Sequence, residues 1–278
     1  MDDFPPSLLE DLRARRCVLF VGAGVSISAG LPNWELFLRR IAACSGVKWL
    51  WDGIPSDEAQ FQLVEAVGRD RVVSLMMSVL TPECPPSTSF QRFCKLMGLA
   101  NFAAIVSTNW DMILDESGCC SQVAHIGRDD DLIDEFLFKE STLPTFHSPN
   151  FARQKPLLIK LQGDISNPST LSLSRDDYSR TFAAKSRFLD RLTRRYSILS
   201  MGRSNHQFGD DFASYSPDAV IPRMREIFVC NDLSHEDKQK LAEQGIIGLT
   251  YSSRETNWEG NRLYLEKLVA LLNGDRQS

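Results

Sequence analysis

The sequence predicts an α/β fold: a Rossmann-like, mostly parallel sheet flanked by helices, with a helical insertion. Three observations carry this. Short apolar runs of strand length, at 18–21, 102–106 and 156–161, alternate with longer segments of helical periodicity. The runs are apolar at consecutive positions, as in strands buried on both faces. Their C-terminal loops are rich in Gly, Ser, Asn and Asp, and that is the edge where an open parallel sheet binds its ligands.

The first element is a helix over 7–16. Leu8, Leu9 and Leu12 stand at helical spacing, and Arg13, Arg15 and Arg16 suit a helix C-terminus. The strand 18–21 follows. Gly22 and Gly24 then allow a tight turn of bare backbone, Ser26 and Ser28 come next, and beyond Pro32 and Asn33 the segment 34–42 is periodic as a helix. A strand that runs through a glycine turn into a helix aims backbone N–H groups at one place, which suits a phosphate or pyrophosphate. Alone this signal is weak. The dinucleotide fingerprint asks for G-x-G-x-x-G, and here the third glycine is late, at Gly30.

From Trp34 to Gly98 the spacing predicts helices and no strong strand. The stripes are Leu36, Phe37, Leu38 and Ile41; Phe61, Leu63, Val64 and Val67; Val72, Val73, Leu75, Met76, Val79 and Leu80; and Phe90, Phe93, Leu96 and Met97. These read as core. Residues 49–53 and 82–86 read as loops. The reading is one domain over 1–278, with 38–100 as a helical insertion and the one candidate subdomain.

The second strand, 102–106, runs into Ser107-Thr108-Asn109-Trp110-Asp111 and a helical stretch at 112–116; 119–155 is mixed and polar. The third strand, 156–161, ends in Gln162-Gly163-Asp164, and 171–173 reads as a short strand. Ser174 with Asp177 occupies capping-box positions at the start of a helix to about Arg195, with Phe182, Phe188, Leu189 and Leu192 on one side. A fourth strand, 196–201, ends in Gly202-Arg203-Ser204-Asn205. The fifth is 227–230. Ser234 with Asp237 starts another helix, stopped by Gly245. The sixth strand is 246–251, and the last helix spans about 258–272.

The bulk properties narrow the function. The chain has 278 residues, 43% hydrophobic and 24% charged, with net charge −5, so nothing marks it as a general nucleic-acid or anionic-membrane binder. The acidic start lacks the apolar run of a signal peptide, and no run is long enough to span a bilayer; a cytoplasmic protein with reduced thiols is expected. The seven cysteines include no C-x-x-C pair, which argues against a tetrathiolate zinc site and for small buried hydrophobes. Arg128-Asp129-Asp130-Asp131 reads as a solvated turn.

Three loops, at 22–28, 107–111 and 162–167, are expected to face one crevice, with 202–205 closing it. The glycine loop offers N–H groups to phosphates. Asn109 offers a donor and an acceptor for a ribose hydroxyl or a water, Asp111 an acceptor for a carboxamide, and Ser204 a hydroxyl for ribose or phosphate. The set suits a dinucleotide, while spacing alone leaves the reaction open.

These residues carry a family resemblance. Gly22-Ala23-Gly24-Val25-Ser26 with Ala29-Gly30-Leu31-Pro32 resembles the G-A-G-x-S-x-x-x-G-[IL]-P motif of sirtuins. Thr108-Asn109-Trp110-Asp111 resembles the T-N-[YW]-D of bacterial sirtuin-like domains. Lys160-Leu161-Gln162-Gly163-Asp164 with Ser174-Arg175-Asp176-Asp177-Tyr178 resembles their K-L-H-G-D and [ST]-R-D-D-Y, and Gly202-Arg203-Ser204 is similar to a G-x-S near the nucleotide ribose. Four matches in family order are far more specific than any one. The resemblance implies NAD as substrate and cleavage of its nicotinamide–ribose bond. It implies a nucleotide-binding set of Gly22, Ala23, Gly24, Ser26, Pro32, Asn109, Asp111, Gly202 and Ser204. Ala23, Gly24 and Ser26 would hold the pyrophosphate, Asn109 would sit by the scissile bond and Asp111 would read the carboxamide.

The chain departs from the family twice. The zinc ribbon of deacylating sirtuins is missing, which favours hydrolysis of free NAD over deacylation and implies no zinc. The catalytic histidine of the H-G motif is Gln162, which hydrogen-bonds but takes no proton near pH 7; losing a general base costs roughly 10²–10⁴ in rate. Three readings stay open: an engineered change that disarms the pocket, an enzyme that works slowly or through another base, and a natural nucleotide-binding pseudoenzyme. Of the other histidines before the fifth strand, His125, His147 and His206, the last is the nearest stand-in, though a surface or packing role is its stronger reading; His235 reads as a first-turn residue. The resemblance thus implies an NAD⁺ hydrolase of anti-phage defence that depletes NAD, acting as a homo-oligomer with a separate sensor or ATPase partner. The rival is a catalytically silent NAD- or ADP-ribose-binding subunit of a defence complex.

Overall fold

Seven parallel strands form one sheet in the order β3-β4-β2-β1-β5-β6-β7. The computed structural model describes residues 4–49, 52–82, 85–139, 155–202, 227–231, 233–250 and 257–274. In chain order the elements begin with α1 (Pro6–Arg13), β1 (Cys17–Val21), α2 (Ala23–Ile27), α3 (Trp34–Cys44), α4 (Ser56–Val67), α5 (Arg69–Val79) and α6 (Thr88–Leu99). Then come β2 (Ala104–Ser107), α7 (Ile113–Glu116), β3 (Val123–His125), α8 (Asp130–Ile133) with a π-turn at Asp134–Phe138, and β4 (Leu157–Lys160). The chain continues through a 3₁₀ turn (Pro168–Thr170), α9 (Arg175–Arg195), β5 (Ser197–Met201), β6 (Ile227–Asn231), α10 (His235–Glu243), β7 (Ile246–Thr250) and α11 (Asn257–Gly274).

The central strand β1 pairs with β2 through Leu19 and Ile105 and with β5 through Leu19 and Leu199. Both sides of β1 are buried, as its unbroken apolar run requires. Cys17, Leu19 and Val21 face a layer built on Leu8, Leu12, Phe90, Phe93, Met97, Tyr264 and Leu268, from α1, α6 and α11. Val18 and Phe20 face the opposite layer, with Phe188, Leu189 and Leu192 of α9, Leu241 of α10, and Ile133 and Leu137. The chain builds β2, β4 and β3 outward on one side of β1 and β5, β6 and β7 on the other. The strand order therefore reverses between β1 and β5, a topological switch point with its crevice at the carboxyl ends.

The helical insertion takes shape as α3, α4, α5 and α6 between β1 and β2. α3 to α5 gather a third cluster, Phe37, Leu38, Ile41, Leu63, Val72 and Met76, which also takes in Trp110, Ile165, Leu171 and Leu173 from the loops after β2 and β4. α6 instead packs on the sheet. Asn33 caps α3, its side chain accepting from Leu36 N, and the capping boxes at Ser174 and Ser234 are both formed.

Two expectations fail. Residues 171–173 form no strand. The Ser172 N–H donates to the Gln162 carbonyl and the Leu173 N–H to Asp177, while the buried Gln60 amide donates to the Leu173 carbonyl, so the segment's polar groups go to single partners and no ladder forms. The stretch 119–155, mixed and polar in sequence, shows no sign of a strand, yet 123–125 is the edge strand β3, paired with β4. Among the described residues no helix is long and apolar enough to cross a membrane.

Candidate functional site

The loops after β1, β2, β4 and β5 meet at the switch-point edge of the sheet. The glycine turn after β1 is tied to β5: Gly22 N donates to the Met201 carbonyl at 3.1 Å and Gly24 N to the Gly202 carbonyl at 2.7 Å. A Cβ at Gly24 would stand 2.8 Å from the Gly202 oxygen. One at Gly202, where φ is +69°, would stand 2.8 Å from Val25 N. Only bare backbone permits this approach. The Gly24 N–H is thereby committed to a neighbouring loop, whereas the Ala23 N–H, first in α2, meets no partner among the described residues.

Beneath the turn lies a buried polar chain. The Asn109 Nδ2 donates to the Gly22 carbonyl at 3.0 Å and to Ser26 Oγ at 2.8 Å; Ser26 Oγ donates to Asp111 Oδ2 at 2.7 Å. A backbone carbonyl only accepts, so the nitrogen end of the Asn109 amide is the one turned inward. Its oxygen accepts no hydrogen bond among the described residues. Asp111 Oδ1 accepts from Ile113 N at 3.1 Å, which fixes the start of α7. The last residue of β4, Lys160, is buried and reaches under this loop, donating to the Asp111 carbonyl at 2.6 Å and to Asp115 at 3.1 Å. Ser26 and Asp111 thus orient Asn109 from below.

After β4 the chain turns sharply. At Gly163, with φ +77°, a Cβ would fall 2.2 Å from the Thr170 carbonyl, so the loop folds back on itself only with glycine there. Asp164 takes the N–H groups of Ser166 and Asn167 on one oxygen, and His125 Nε2 lies 2.7 Å from the other. His125 Nδ1 is 3.1 Å from Asp129. Carboxylates only accept, so the imidazolium form satisfies both contacts. The hydrogen bond to Asp164 outweighs burial and raises the His125 pKa; burial opposes ionisation of Asp164, yet His125 and Ser166 hold it well below the usual carboxylate range. His125 therefore bridges Asp129 and Asp164. Asp129, expected in a solvated turn, is its partner.

Gln162 stands half-buried between Gly163 and the end of β4. Its Oε1 accepts from Lys185 Nζ at 2.7 Å, and the same Nζ donates to Ser172 Oγ at 2.8 Å. Lys185 is 1% exposed, and burial pushes its pKa down to about 7. The sequence reading missed this lysine. The available signal was a charge at 185 in register with Phe188, Leu189 and Leu192 on the inward face of α9. Pro32 is half-buried at the bend between α2 and α3. Ser204, His147 and His206 lie outside the described residues.

The donor set fits a nucleotide. An open N–H at the glycine turn, an inward-anchored asparagine and a glutamine amide converge at the carboxyl edge. Among the described residues no group of three or more His, Cys, Asp or Glu is placed to hold a metal ion.

The chain is similar to known proteins. A family model described as a SIR2-like domain matches residues 103–220. A solved structure of a Sir2 homologue–NAD complex is similar at 16% identity and a TM-score of 0.50, covering 99% of this chain and 96% of that one. A second, described as a structural basis for the mechanism and regulation of Sir2 enzymes, is 12% identical with a TM-score of 0.49, each chain covered in full. No curated protein matches. The chain has a sirtuin-like, Rossmann-type α/β fold.

Proposed function

We propose that the protein binds NAD⁺ at the carboxyl edge of β1, β2, β4 and β5 and hydrolyses its nicotinamide–ribose bond. The observation that carries this reading is the buried Asn109–Ser26–Asp111 chain, which anchors an asparagine under the glycine turn and leaves its amide oxygen as an acceptor. That oxygen serves a ribose hydroxyl or the attacking water. In the reaction a water oxygen bonds to C1′, the C1′–nitrogen bond breaks, nicotinamide leaves as a neutral base and the water proton passes to solvent. The cationic pyridinium is already a good leaving group, so the step asks for positioning more than for a strong base.

A second reading, a silent NAD- or ADP-ribose-binding subunit, is favoured by Gln162, which cannot take a proton and whose amide oxygen is occupied by Lys185. The experiment is nicotinamide release from NAD⁺ by the unsubstituted chain, by Asn109→Ala and by Gln162→His. Release by the unsubstituted chain and its loss in Asn109→Ala supports hydrolysis. Release by Gln162→His alone means a disarmed pocket, and binding without turnover in every form supports the second reading.

The wider reading extends the family resemblance: a cytoplasmic, zinc-free effector of anti-phage defence that depletes NAD, works as a homo-oligomer, and is held off by a separate sensor or ATPase partner. Full hydrolysis by a purified monomer with nothing added would overturn the partner requirement.

A further inference from the structure

Two neighbouring cysteines that the nucleotide site leaves unused stand just beyond α7. The Sγ atoms of Cys119 and Cys120 lie 3.2 Å apart. Cys119 is buried and Cys120 half-buried. The pair is fixed at both ends: the Gly118 carbonyl accepts from Lys155 Nζ at 2.6 Å, and Ser121 N donates to the Pro156 carbonyl at 2.8 Å. Both residues lie in the connection between α7 and β3, so a bond between their sulfurs interrupts no helix and no sheet ladder. Ser117, whose Oγ accepts from Cys119 N, also lines a cleft of about 610 Å³ with Cys94 and Ile113, and a small oxidant can approach from that side.

The pair also differs from the other buried thiols in reactivity. Burial pushes Cys17 up and pushes Cys94 up to about 12, so both stay protonated. The hydrogen bond from Cys120 lowers the Cys119 pKa, and the same bond, with burial, raises that of Cys120. One proton thus leaves the pair more readily than a lone buried thiol would release it, and the second sulfur keeps its own. The thiolate is the form that attacks an oxidant.

We propose that Cys119 and Cys120 are a modification site at which a peroxide forms a reversible disulfide between the two neighbouring residues, and that this bond displaces α7 and with it the nucleotide loop after β2. The thiolate of the pair attacks one peroxide oxygen. A sulfur–oxygen bond forms, the oxygen–oxygen bond breaks, and the leaving hydroxide takes a proton and becomes water. The second sulfur then attacks the sulfenic acid. The sulfur–sulfur bond forms, the sulfur–oxygen bond breaks, and the hydroxide leaves as water with the second thiol's proton. Two thiols are oxidised, and one peroxide is reduced to two waters.

The coupling rests on the nucleotide site described above. Cys119 Sγ donates to the Leu114 carbonyl of α7 at 3.8 Å, and a disulfide has no S–H to donate. Closing the bond also draws the two sulfurs together by about 1 Å. α7 is only four residues long, Ile113–Glu116, and so resists displacement weakly. Its first N–H donates to Asp111, and its Asp115 pairs with Lys160, which also holds the Asp111 carbonyl. Movement of α7 is therefore transmitted to Asp111 and, through Ser26, to Asn109.

The test treats the full chain with hydrogen peroxide and reads it by trypsin digestion and mass spectrometry. Cleavage after Lys95 and Arg128 leaves both cysteines in one peptide, 96–128, and Cys94 in another. The expected result is a 96–128 peptide that is two hydrogens lighter and resists alkylation until dithiothreitol is added. Cys119→Ser and Cys120→Ser each abolish that change, and Cys94→Ser keeps it, with melting curves to show that each variant folds. Calorimetric titration with NAD⁺ is expected to give a Kd several-fold higher for the oxidised wild type than for the reduced one, and no such difference in Cys120→Ser. Thiols that stay open to alkylation, added oxygen on either sulfur in place of the bond, or a cross-link to the Cys94 peptide overturns the modification site. A disulfide that leaves the NAD⁺ affinity unchanged overturns the coupling through α7. Absence of NAD⁺ binding by the reduced chain overturns the nucleotide reading, while the peptide masses still decide the disulfide.

Discussion

At the scale of single residues, the site is governed by what each buried polar group is forced to meet. Asn109 is only 9% exposed, and a carbonyl and a hydroxyl take both its amide hydrogens, so its orientation follows from donor–acceptor matching alone. Lys185 is the costlier case. Its pKa falls from 10.5 to about 7 on folding, so between those values the unfolded chain binds more protons and wild-type stability rises with pH. Below about 7 both states are protonated and the penalty is at its full size. Lys185→Met, which buries an apolar chain of similar length, is therefore expected to stabilise the protein by about 1–4 kcal/mol at neutral pH. The gain over wild type should narrow on going to about pH 10. Urea unfolding at the two pH values measures it, and a gap that does not change with pH would mean the lysine is solvated in the folded state.

At the scale of elements, the site depends on loops that touch backbone to backbone. The turn after β1 and the loop after β5 meet at Gly24 and Gly202 across the switch point. Neither glycine is replaceable by alanine without moving a loop, because the nearest atom a Cβ would strike is in each case a main-chain atom. Gly202→Ala adds the strain of a left-handed backbone, of order 1–2 kcal/mol, to that clash. The expectation is loss of nucleotide affinity in both variants. The larger drop in melting temperature falls on Gly202→Ala, read by thermal unfolding and titration side by side. Equal affinity to wild type would show that the contact is incidental to binding. The fold-back at Gly163 works in the same way, bringing Ser172 and the Gln162 carbonyl into one hydrogen bond.

At the scale of the whole molecule, the insertion and the sheet share one aromatic joint. Trp110 lies between Asn109 and Asp111. Its ring is 4.7 Å from Trp34 and 5.8 Å from Phe37, centroid to centroid, so the loop after β2 is wedged into the insertion's own cluster. Any rearrangement of α3 to α5 is thereby felt at Asn109. Trp110→Ala is expected to cost about 3–5 kcal/mol, as for large aromatic deletions in cores, and to weaken nucleotide binding as well. Chemical denaturation with a parallel titration checks both. A variant that loses stability but binds with full affinity would separate the joint from the site.

Much of this was legible in the residues themselves. Buried parallel strands announce themselves as unbroken apolar runs, and helices as periodic stripes. Ser174 with Asp177 and Ser234 with Asp237 announce helix starts, because all of these signals are local. Hence the fold class, six of the seven strands, and the loops that carry Asn109, Gln162 and Gly202 could be placed in advance. The edge strand β3 could not, since three residues among polar neighbours carry no periodicity. Residues 171–173 looked like a strand because apolar alternation does not say whether a ladder partner exists. The tertiary structure alone decided the strand order, the Gly24–Gly202 contact, the turning inward of Ser26 and Asp111, and the lysine behind Gln162. These facts join residues 23 to 178 positions apart, and their chemistry arises from burial. In water Lys185 is an ordinary ammonium; burial brings its pKa to about 7, and Gln162 and Ser172 accept its hydrogen bonds.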